Sequence, residues 1–259
     1  MSEFDTKYRA RFKKLSSTNI SDAMDALGLR GATCGIRPMI EKWRKLVGPA
    51  VTMRMTAAGV TPQKTHLGMN AIAAAQPGDV IVIDNAGRMD TSCWGGILAN
   101  AAKCKGVAGT VIDGCCRDLD DCIDADYTVY ARGTVVQTAR GRVIEESTNQ
   151  MIQFGGVQVR PGDIVMGDSS GVVIVPQEHI DAVLTKAEEL WQKEEDMIAE
   201  IKAGGDILEI DAKYNYNKML QKWGRSRKWT QFWNASRSWT PPACPTPWTR
   251  SASSAPATA

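Results

Sequence analysis

The chain has 259 residues, of which 31 are Lys or Arg and 29 are Asp or Glu, and 43% of its residues are apolar. This composition is typical of a globular protein and excludes a disordered chain or a coiled coil. No apolar run approaches the roughly 20 residues that cross a bilayer, and the charged N-terminus lacks the pattern of a secretory signal. We therefore expect a cytoplasmic protein with no membrane role.

The first predicted elements are a helix and a strand in the N-terminal third. Residues 18–22 offer Ser, Thr and Asn as caps for a helix rich in Ala, Met and Leu, and this helix should stop at Gly28. A strand is predicted over residues 50–56.

The middle of the chain has a strand–helix–strand pattern. After the turn at residues 77–79, the unbroken apolar run Val80–Ile83 predicts a buried strand that ends at Asp84-Asn85. A helix is predicted over 97–103 and a second strand over 107–112. Two strands joined by a helix within about 35 residues are typical of a βαβ unit.

The last predicted elements are a strand pair and a long helix. Residues 164–166 and 172–175 are short apolar runs bounded by turn residues, which predicts two strands. A helix should follow from about residue 177 to residue 203. We place the single domain at residues 5–221.

The positive charge is concentrated in the C-terminal tail, residues 222–259. This tail holds six basic residues, no acidic residue and five of the eight tryptophans, with no hydrophobic period. Tryptophans interleaved with arginines could stack on single-stranded nucleic acid. The abrupt change of composition instead favours a disordered or non-native extension, so we expect no nucleic-acid partner.

The seven cysteines are an odd number without metal-site spacing, and we expect reduced thiols. Cys115 and Cys116 lie side by side next to a charged motif, which raises the hypothesis of a nucleophile. The chain has only two histidines, His66 and His179, and a cysteine nucleophile usually needs a nearby base. The pattern therefore favours buried thiols.

Polar residues follow the predicted strands, where side chains and helix N-termini converge in α/β proteins. Asp84 ends one strand, Asp113 ends the next, and the pair Arg117-Asp118 follows four residues later. We expect these groups to share one edge of the sheet. Arg117 could bind a carboxylate and Asp118 a divalent cation, although a solvated ion pair is the alternative.

The Gly95-Gly96 turn opens the predicted helix and faces the same edge. The backbone N–H groups of Ile97 and Leu98 lack intrahelical partners in the first turn, so the turn is a candidate anion-binding corner.

Residues 94–103 and 106–118 resemble the RraA-like family. That family includes the divalent-metal-dependent class II pyruvate aldolases that act on 4-hydroxy-4-methyl-2-oxoglutarate and 4-carboxy-4-hydroxy-2-oxoadipate, and the protein inhibitor of ribonuclease E. Further similar segments lie at residues 21–25, 48–52, 76–79 and 167–173. The resemblance covers nearly all of residues 15–205. It implies a single-domain α/β layered sandwich of the swivelling β/β/α type, assembled as a homotrimer or hexamer.

The resemblance also implies roles for residues of the site. In the family's aldolases the Asp of the Arg-Asp pair binds Mg²⁺ or Mn²⁺, and the Arg contacts the carbonyl oxygen of pyruvate and steadies the enolate. Those positions are Asp118 and Arg117 here. Backbone amides after the glycine-rich turn hold the pyruvate carboxylate, which corresponds to Gly95-Gly96 with Ile97 and Leu98.

Two segments depart from the family pattern. The aldolases have an acidic residue 21 positions before the Arg, where this chain has Gly96. Relatives commonly have a Gly-Asp-Asn-like segment where this chain has Gln63-Lys64-Thr65-His66. Lys64 and His66 are therefore candidates for a different substrate contact or an acid–base group, with a structural histidine as the alternative.

Glu194 is a further candidate, on the long C-terminal helix. It falls within an apolar stripe of period 3.6 composed of Ile180, Val183, Leu184, Ala187, Leu190, Trp191, Met197, Ile198 and Ile201. Because an unpaired buried carboxylate costs several kcal/mol, Glu194 needs a partner or a site, unless it marks the solvated edge of the stripe. Family members place a helical Glu from a neighbouring subunit at the metal, and this resemblance makes Glu194 a catalytic candidate.

Two classes of function follow from these observations. The first is a metal-dependent lyase acting on a small 2-oxo acid, by aldol cleavage or by decarboxylation of oxaloacetate, since both pass through a pyruvate enolate. The second is a non-catalytic RraA-type regulator, which Gly96 favours. The Arg117-Asp118 pair is compatible with another metal-dependent reaction, such as that of a hydratase, hydrolase or decarboxylase.

Overall fold

The computed structural model describes residues 3–40, 45–63 and 65–215. The predicted tail at 222–259 and Lys64 lie outside these residues. Within them, each helix is too short or too polar to cross a bilayer.

The described residues form helices that flank a mixed sheet. The helices are α1 (Glu3–Lys7), α2 (Arg9–Lys14), α3 (Ser17–Ala26), α4 (Met69–Ala74), α5 (Gly96–Cys104), α6 (Leu119–Asp124), α7 (Ile180–Lys202) and α8 (Ile207–Tyr214). The strands are β1 (Arg37–Pro38), β2 (Leu46–Ala57), β3 (Val80–Ser92), β4 (Gly109–Cys116), β5 (Val129–Ala131), β6 (Gly133–Thr134), β7 (Val143–Thr148), β8 (Ile152–Phe154), β9 (Val157–Val159), β10 (Ile164–Asp168) and β11 (Gly171–Val175). The predicted α/β class is confirmed.

The main sheet has the strand order β1-β5-β4-β3-β2-β10-β11, with β6 paired to β4 and β7 paired to β2. Strands β2 to β5 pair in parallel, whereas β10 and β11 form an antiparallel pair. The predicted βαβ unit is confirmed as β3, α5 and β4, and the predicted C-terminal strand pair is confirmed as β10 and β11. Strands β8 and β9 form a separate hairpin.

The sheet is apolar on both faces because helices cover one side and the β8–β9 hairpin covers the other. Ile81 and Ile83 pack in the cluster that includes α5, and Val80 and Val82 pack in the cluster that includes Phe154. All four strand residues are fully buried, as expected for a parallel strand covered on both faces. A third cluster joins α3 and α7 to β10 and β11.

Several predicted boundaries differ from the structure. Helix α3 begins at Ser17 and is capped by Ser16, whose hydroxyl oxygen accepts from the Asn19 N–H. Asn19 was expected before the helix but lies in its first turn, where its side chain completes the capping box. Strand β3 continues past the predicted end at Asp84 to Ser92, with irregular register after Asp84.

Helix α7 and the preceding short 3₁₀ turn (Gln177–His179) confirm the predicted long helix. Its apolar stripe is buried only as far as Met197. Ile198 and Ile201, which were predicted on the apolar stripe, are each 42% exposed.

Candidate active site

A cavity of about 650 Å³ opens on the helix-covered side of the sheet. Its walls come from four parts of the chain, which contribute residues 58–59, 61–63 and 65–67, residues 92–95 and 97–98, residues 117–118, and residues 138–141 and 143–144. Gly95, Ile97 and Leu98 line it together with the Arg117-Asp118 pair. The structure therefore brings most of the predicted site residues to one cavity.

The N-terminus of α5 forms one wall of this cavity. The first backbone hydrogen bond of the helix runs from the Ala99 N–H to the carbonyl of Gly95, at 3.0 Å. The N–H groups of Ile97 and Leu98 therefore precede the hydrogen-bond ladder of the helix. Free N–H groups and the positive end of the helix dipole make this wall favourable for an anion.

Arg117 and Asp118 follow the end of β4 and lie beside the same turn. The Arg117 N–H donates to the carbonyl of Trp94 at 3.0 Å, which ties the end of β4 to the start of α5. Asp118 adopts a left-handed conformation with φ of 56°, which is uncommon for a residue with a side chain. Unusual backbone of this kind clusters at functional sites.

The side chains of this pair are half-exposed and face each other. The Arg117 Nε lies 3.4 Å from the Asp118 Oδ2, and their side chains are 37% and 40% exposed. The same Asp118 oxygen accepts from the Gly96 N–H at 3.2 Å. Gly96 thus holds the Asp118 carboxylate in place through its N–H, although Gly96 does not itself line the cavity. Asp118 acts as an external cap for α5 while keeping carboxylate lone pairs for another ligand.

The two glycines of the turn are required by the space around them. A Cβ on Gly95 would lie 2.5 Å from the Asp118 Oδ2. A Cβ on Gly96 would collide with the carboxylate of Asp121, from the first turn of α6. Side chains at these positions would therefore push the two carboxylates away from the turn.

His66 also lines the cavity, as the sequence allowed. Its Nδ1 lies 3.1 Å from the carbonyl oxygen of Leu67. Since a carbonyl can only accept, Nδ1 carries a proton in this contact, and Nε2 of the neutral ring is then free to accept one. The loop is held by Glu145, whose carboxylate accepts from the Gly68 N–H at 2.9 Å.

Arg140 is a cavity residue that the sequence analysis missed. It lies on the loop before β7 and is exposed. Its guanidinium has no hydrogen-bond or ion-pair partner elsewhere in the described ranges. The segment from Thr138 to Arg142 has the composition of an ordinary polar turn, so no sequence signal distinguished this arginine.

Asp84 and Asp113 are register partners at one edge of the sheet, but the expectation that they lie together with Arg117 was wrong. Asp84 pairs with Arg54 at 3.4 Å, and Asp113 pairs with Arg132 and accepts from the Gly155 N–H at 2.7 Å. Neither carboxylate lines the cavity. Because side chains alternate along a strand, both continue the face that packs against the β8–β9 hairpin, on the other side of the sheet.

Glu194 lies away from the cavity within this chain. Its Oε2 accepts from the Asn19 Nδ2 at 2.7 Å, which gives the carboxylate a partner on α3. Burial raises the pKa of the neighbouring Asp22, and the negative charges of Glu194 and Asp25 raise it further. The structure therefore does not bring Glu194 to Arg117 within one chain.

The adjacent cysteines are packing residues in this structure. Cys115 and Cys116 are both fully buried. Burial raises the pKa of Cys116 to about 12 and that of Cys122 to about 11. A thiol with such a pKa carries almost no thiolate at neutral pH, so the geometry does not support a nucleophile here.

The donor set at the cavity fits a hard divalent cation. In the part of the chain that the structure describes, no group of three or more His, Cys, Asp or Glu side chains could hold a metal ion. Zn²⁺ usually requires such a group, whereas Mg²⁺ keeps several waters and is bound through one or two carboxylates. Asp118 offers one exposed carboxylate, which is sufficient for Mg²⁺ but not for Zn²⁺.

Three comparisons with known proteins agree on one family. The family model described as RraA-like (Aldolase/RraA) matches residues 17–174. A Halalkalibacterium halodurans protein named "Putative 4-hydroxy-4-methyl-2-oxoglutarate aldolase" is 34% identical over 187 residues, which are 72% of this chain and 85% of that protein. Protein DlpA of Legionella pneumophila is 30% identical over 203 residues, and this chain spans only 33% of its length.

A solved structure extends the similarity to the fold. The Streptomyces coelicolor protein RraAS2, described as an unusual member of the RNase ES inhibitor RraA protein family, superposes with a TM-score of 0.66 at 28% identity. The match covers 72% of this chain and 92% of RraAS2.

Proposed function

The chain belongs to the RraA-like (Aldolase/RraA) family, and from that premise we propose that it is a divalent-metal-dependent lyase acting on a small 2-oxo carboxylic acid. The observation that carries the proposal is the placement of Arg117 and Asp118 in one cavity with the free N–H groups of Ile97 and Leu98. A cation, a metal-binding carboxylate and an anion-binding corner are the three groups that enolate chemistry needs.

The substrate carboxylate would bind the N–H groups of Ile97 and Leu98. This corner needs no side chain to hold an anion, and it fixes the 2-oxo group close to Arg117. The guanidinium of Arg117 would donate to the carbonyl oxygen and neutralise the negative charge that develops there when the adjacent carbon–carbon bond breaks. Asp118 would hold Mg²⁺ or Mn²⁺, which when bound supplies a Lewis acid for the same oxygen.

Other residues of the cavity would recognise the rest of the substrate. Arg140 lines the cavity and has no ion-pair partner among the described residues, and His66 offers an Nε2 that can accept a hydrogen bond when its ring is neutral. We infer that Arg140 binds a second carboxylate and that His66 makes a hydrogen bond to the substrate or transfers its proton. The cavity of about 650 Å³ has room for a 2-oxo diacid larger than oxaloacetate.

Assembly is part of the proposal. We propose a homotrimer or hexamer in which a neighbouring subunit presents its Glu194 to the site, because Glu194 does not reach the cavity of its own chain. Multi-angle light scattering of the protein tests this. A concentration-independent mass near 28.2 kDa, that of the monomer, would contradict it.

A non-catalytic regulator is the second candidate, favoured by the absence of a side chain at Gly96. Pyruvate release separates the two functions. The assay couples pyruvate to NADH oxidation through lactate dehydrogenase, for oxaloacetate and a panel of 4-hydroxy-2-oxo diacids, with Mg²⁺ or Mn²⁺ and with EDTA.

The lyase should release pyruvate from at least one of these substrates with metal and not with EDTA. Asp118→Asn should remove both the activity and its metal dependence, whereas Asp120→Asn, which removes the same charge two residues away, should leave both unchanged. No pyruvate from any substrate would favour the regulator or another reaction.

A further inference from the structure

The cavity beside Arg117 is larger than a small 2-oxo acid requires. Its volume of about 650 Å³ corresponds to roughly 20 water molecules, at about 30 Å³ of liquid volume each. Pyruvate or oxaloacetate would fill only a fraction of that space. Cavities of roughly 300 to 1,000 Å³ typically hold drug-sized ligands and contact them mainly through apolar side chains. The remaining space therefore fits a larger substituent on the substrate.

Much of the cavity wall is an apolar surface that the protein core supplies. Several buried wall residues belong to one hydrophobic cluster, namely Leu67, Cys93, Trp94, Leu98 and Val143. Ala139, which also lines the cavity, packs against the same cluster. These residues come from different parts of the chain, and the shared cluster joins them into one wall, which we call the apolar wall. A ligand that touches this wall gains affinity by removing apolar surface from water.

Two isoleucines line the same cavity without being buried. Ile97, in the first turn of α5, is 76% exposed, and Ile144, on β7, is half-buried. A single exposed apolar side chain is common on protein surfaces. Ile97, however, lies in a cavity that has an apolar wall, and its N–H is the group that we assign to the substrate carboxylate. A substrate bound there would cover the Ile97 side chain.

Polar side chains in the wall already use their hydrogen-bonding groups within the chain. The Gln63 Oε1 accepts from the Glu145 N–H at 2.8 Å, and its Nε2 donates to the carbonyl of Thr65 at 2.7 Å. The Ser92 hydroxyl donates to the carbonyl of Gln137 at 2.9 Å. Polar recognition of a ligand is therefore left mainly to the charged residues of the cavity and to the N–H groups of α5.

We propose that the substrate is a 4-hydroxy-2-oxo diacid with an alkyl or aryl group larger than methyl at C4, and that this group packs on the apolar wall, Ile97 and Ile144. This rests on the proposed function, because the 2-oxo acid end is placed at Arg117. Cleavage breaks the C3–C4 bond, whose electron pair becomes the enolate of pyruvate. The C4 hydroxyl loses its proton and becomes the carbonyl of a second 2-oxo acid. Protonation of the enolate at C3 completes pyruvate, so no oxidant or further reactant is needed.

A neighbouring subunit is the alternative cover for the apolar wall. Arg140 favours the substrate, because it is an exposed cation in the same cavity without an ion-pair partner among the described residues. A protein surface laid over the cavity would have to pair this guanidinium or leave it buried without a partner, which is costly. A diacid supplies the partner through its second carboxylate.

The first experiment measures the binding of 2-oxo acids that lack the C4 hydroxyl and so cannot be cleaved. Isothermal titration calorimetry compares pyruvate with 2-oxohexanoate, on the full chain with Mg²⁺. Each buried CH₂ contributes about 0.8 kcal/mol, or roughly fourfold in affinity. The three additional CH₂ groups of 2-oxohexanoate should therefore strengthen binding by at least about tenfold. An equal or weaker affinity for 2-oxohexanoate would overturn the proposal.

The second experiment truncates the two isoleucines. Ile97→Ala and Ile144→Ala should each lower the ratio of the affinity for 2-oxohexanoate to that for pyruvate by at least about threefold. Val136→Ala is the matched control, because it truncates a 94% exposed apolar side chain outside the cavity, and its ratio should stay within about twofold of wild type. A ratio between two ligands cancels a general loss of folded protein. Unchanged ratios in both isoleucine variants would overturn the proposal.

Cleavage assays separate this inference from the proposed function. Chromatography measures pyruvate released from 4-hydroxy-4-methyl-2-oxoglutarate and from its 4-propyl analogue, and the propyl compound should have the higher kcat/KM. If the methyl compound is cleaved and the propyl compound is not preferred, the inference is wrong and the lyase remains. If neither compound is cleaved, the lyase and its substrate are both wrong.

Discussion

Arg117→Ala is the substitution that most directly tests the chemistry of the cavity. The guanidinium lies beside Asp118 and close to the free N–H groups at the start of α5. Its proposed task is to neutralise charge that is absent from the substrate and present in the transition state. An interaction of that kind should lower kcat and kcat/KM together, with little change in KM.

The structure allows the effects on activity and on stability to be separated. The ion pair of Arg117 with Asp118 is more than a third exposed on both sides, so it contributes about 0 to 1 kcal/mol to folding. The backbone hydrogen bond from Arg117 to Trp94 survives any side-chain substitution. Removing a preorganised donor from a developing oxyanion, by contrast, lowers kcat by about 10²- to 10³-fold, or roughly 2.7 to 4 kcal/mol.

The assay compares pyruvate release by Arg117→Ala, Arg117→Lys and the wild-type chain, with the best substrate of the panel. Lysine keeps the charge and loses the planar fork, so its activity should fall between the other two. Arg37→Ala, which removes an exposed arginine outside the cavity, is the control for net charge. A kcat for Arg117→Ala within a few-fold of wild type, with normal Mn²⁺ binding, would refute the role assigned to this residue.

Three further predictions concern the rest of the molecule. At pH 8, mass-spectrometric mapping after reaction with Ellman's reagent should find Cys34 and Cys104 modified, because they are exposed, and Cys122 protected, because burial raises its pKa to about 11. Asp168→Ala should lower the free energy of unfolding in urea by about 3 to 5 kcal/mol, because this buried carboxylate accepts three hydrogen bonds from two serines. Deletion of residues 222–259 should leave the thermal midpoint and the oligomer mass unchanged, because the tail has no hydrophobic period.

The parts of the fold that the sequence predicted are those with continuous apolar runs. Val80–Ile83 and Gly171–Val175 are strands, and α7 is a long helix, because their hydrophobic patterns span enough residues to identify the period. Strands such as β5, β6 and β8 have only two or three residues and form because adjacent strands of the same chain pair with them. Such short segments have no recognisable hydrophobic pattern. The extension of β3 past Asp84 also depends on pairing, here with β4.

The site was predictable where its residues are close in sequence to the ends of strands and helices. The turn at Gly95-Gly96 and the pair Arg117-Asp118 follow this rule, and Gly95, Arg117 and Asp118 line one cavity. The same rule failed for Asp84 and Asp113 because it gives the edge of the sheet but not the face. The rule did not identify Arg140, because its loop reaches the cavity only through tertiary folding and follows no predicted strand end.

Residue 96 shows how a side chain distant in sequence can require a glycine. In the sequence, glycine at this position indicates a lost carboxylate and favours a regulator over an enzyme. In the structure, the space next to its Cα is filled by the carboxylate of Asp121, which is 25 positions further along the chain. Because each side chain excludes the other, positions 96 and 121 have to be considered together. A side chain can therefore be introduced at residue 96 only if the side chain at residue 121 is removed or moves.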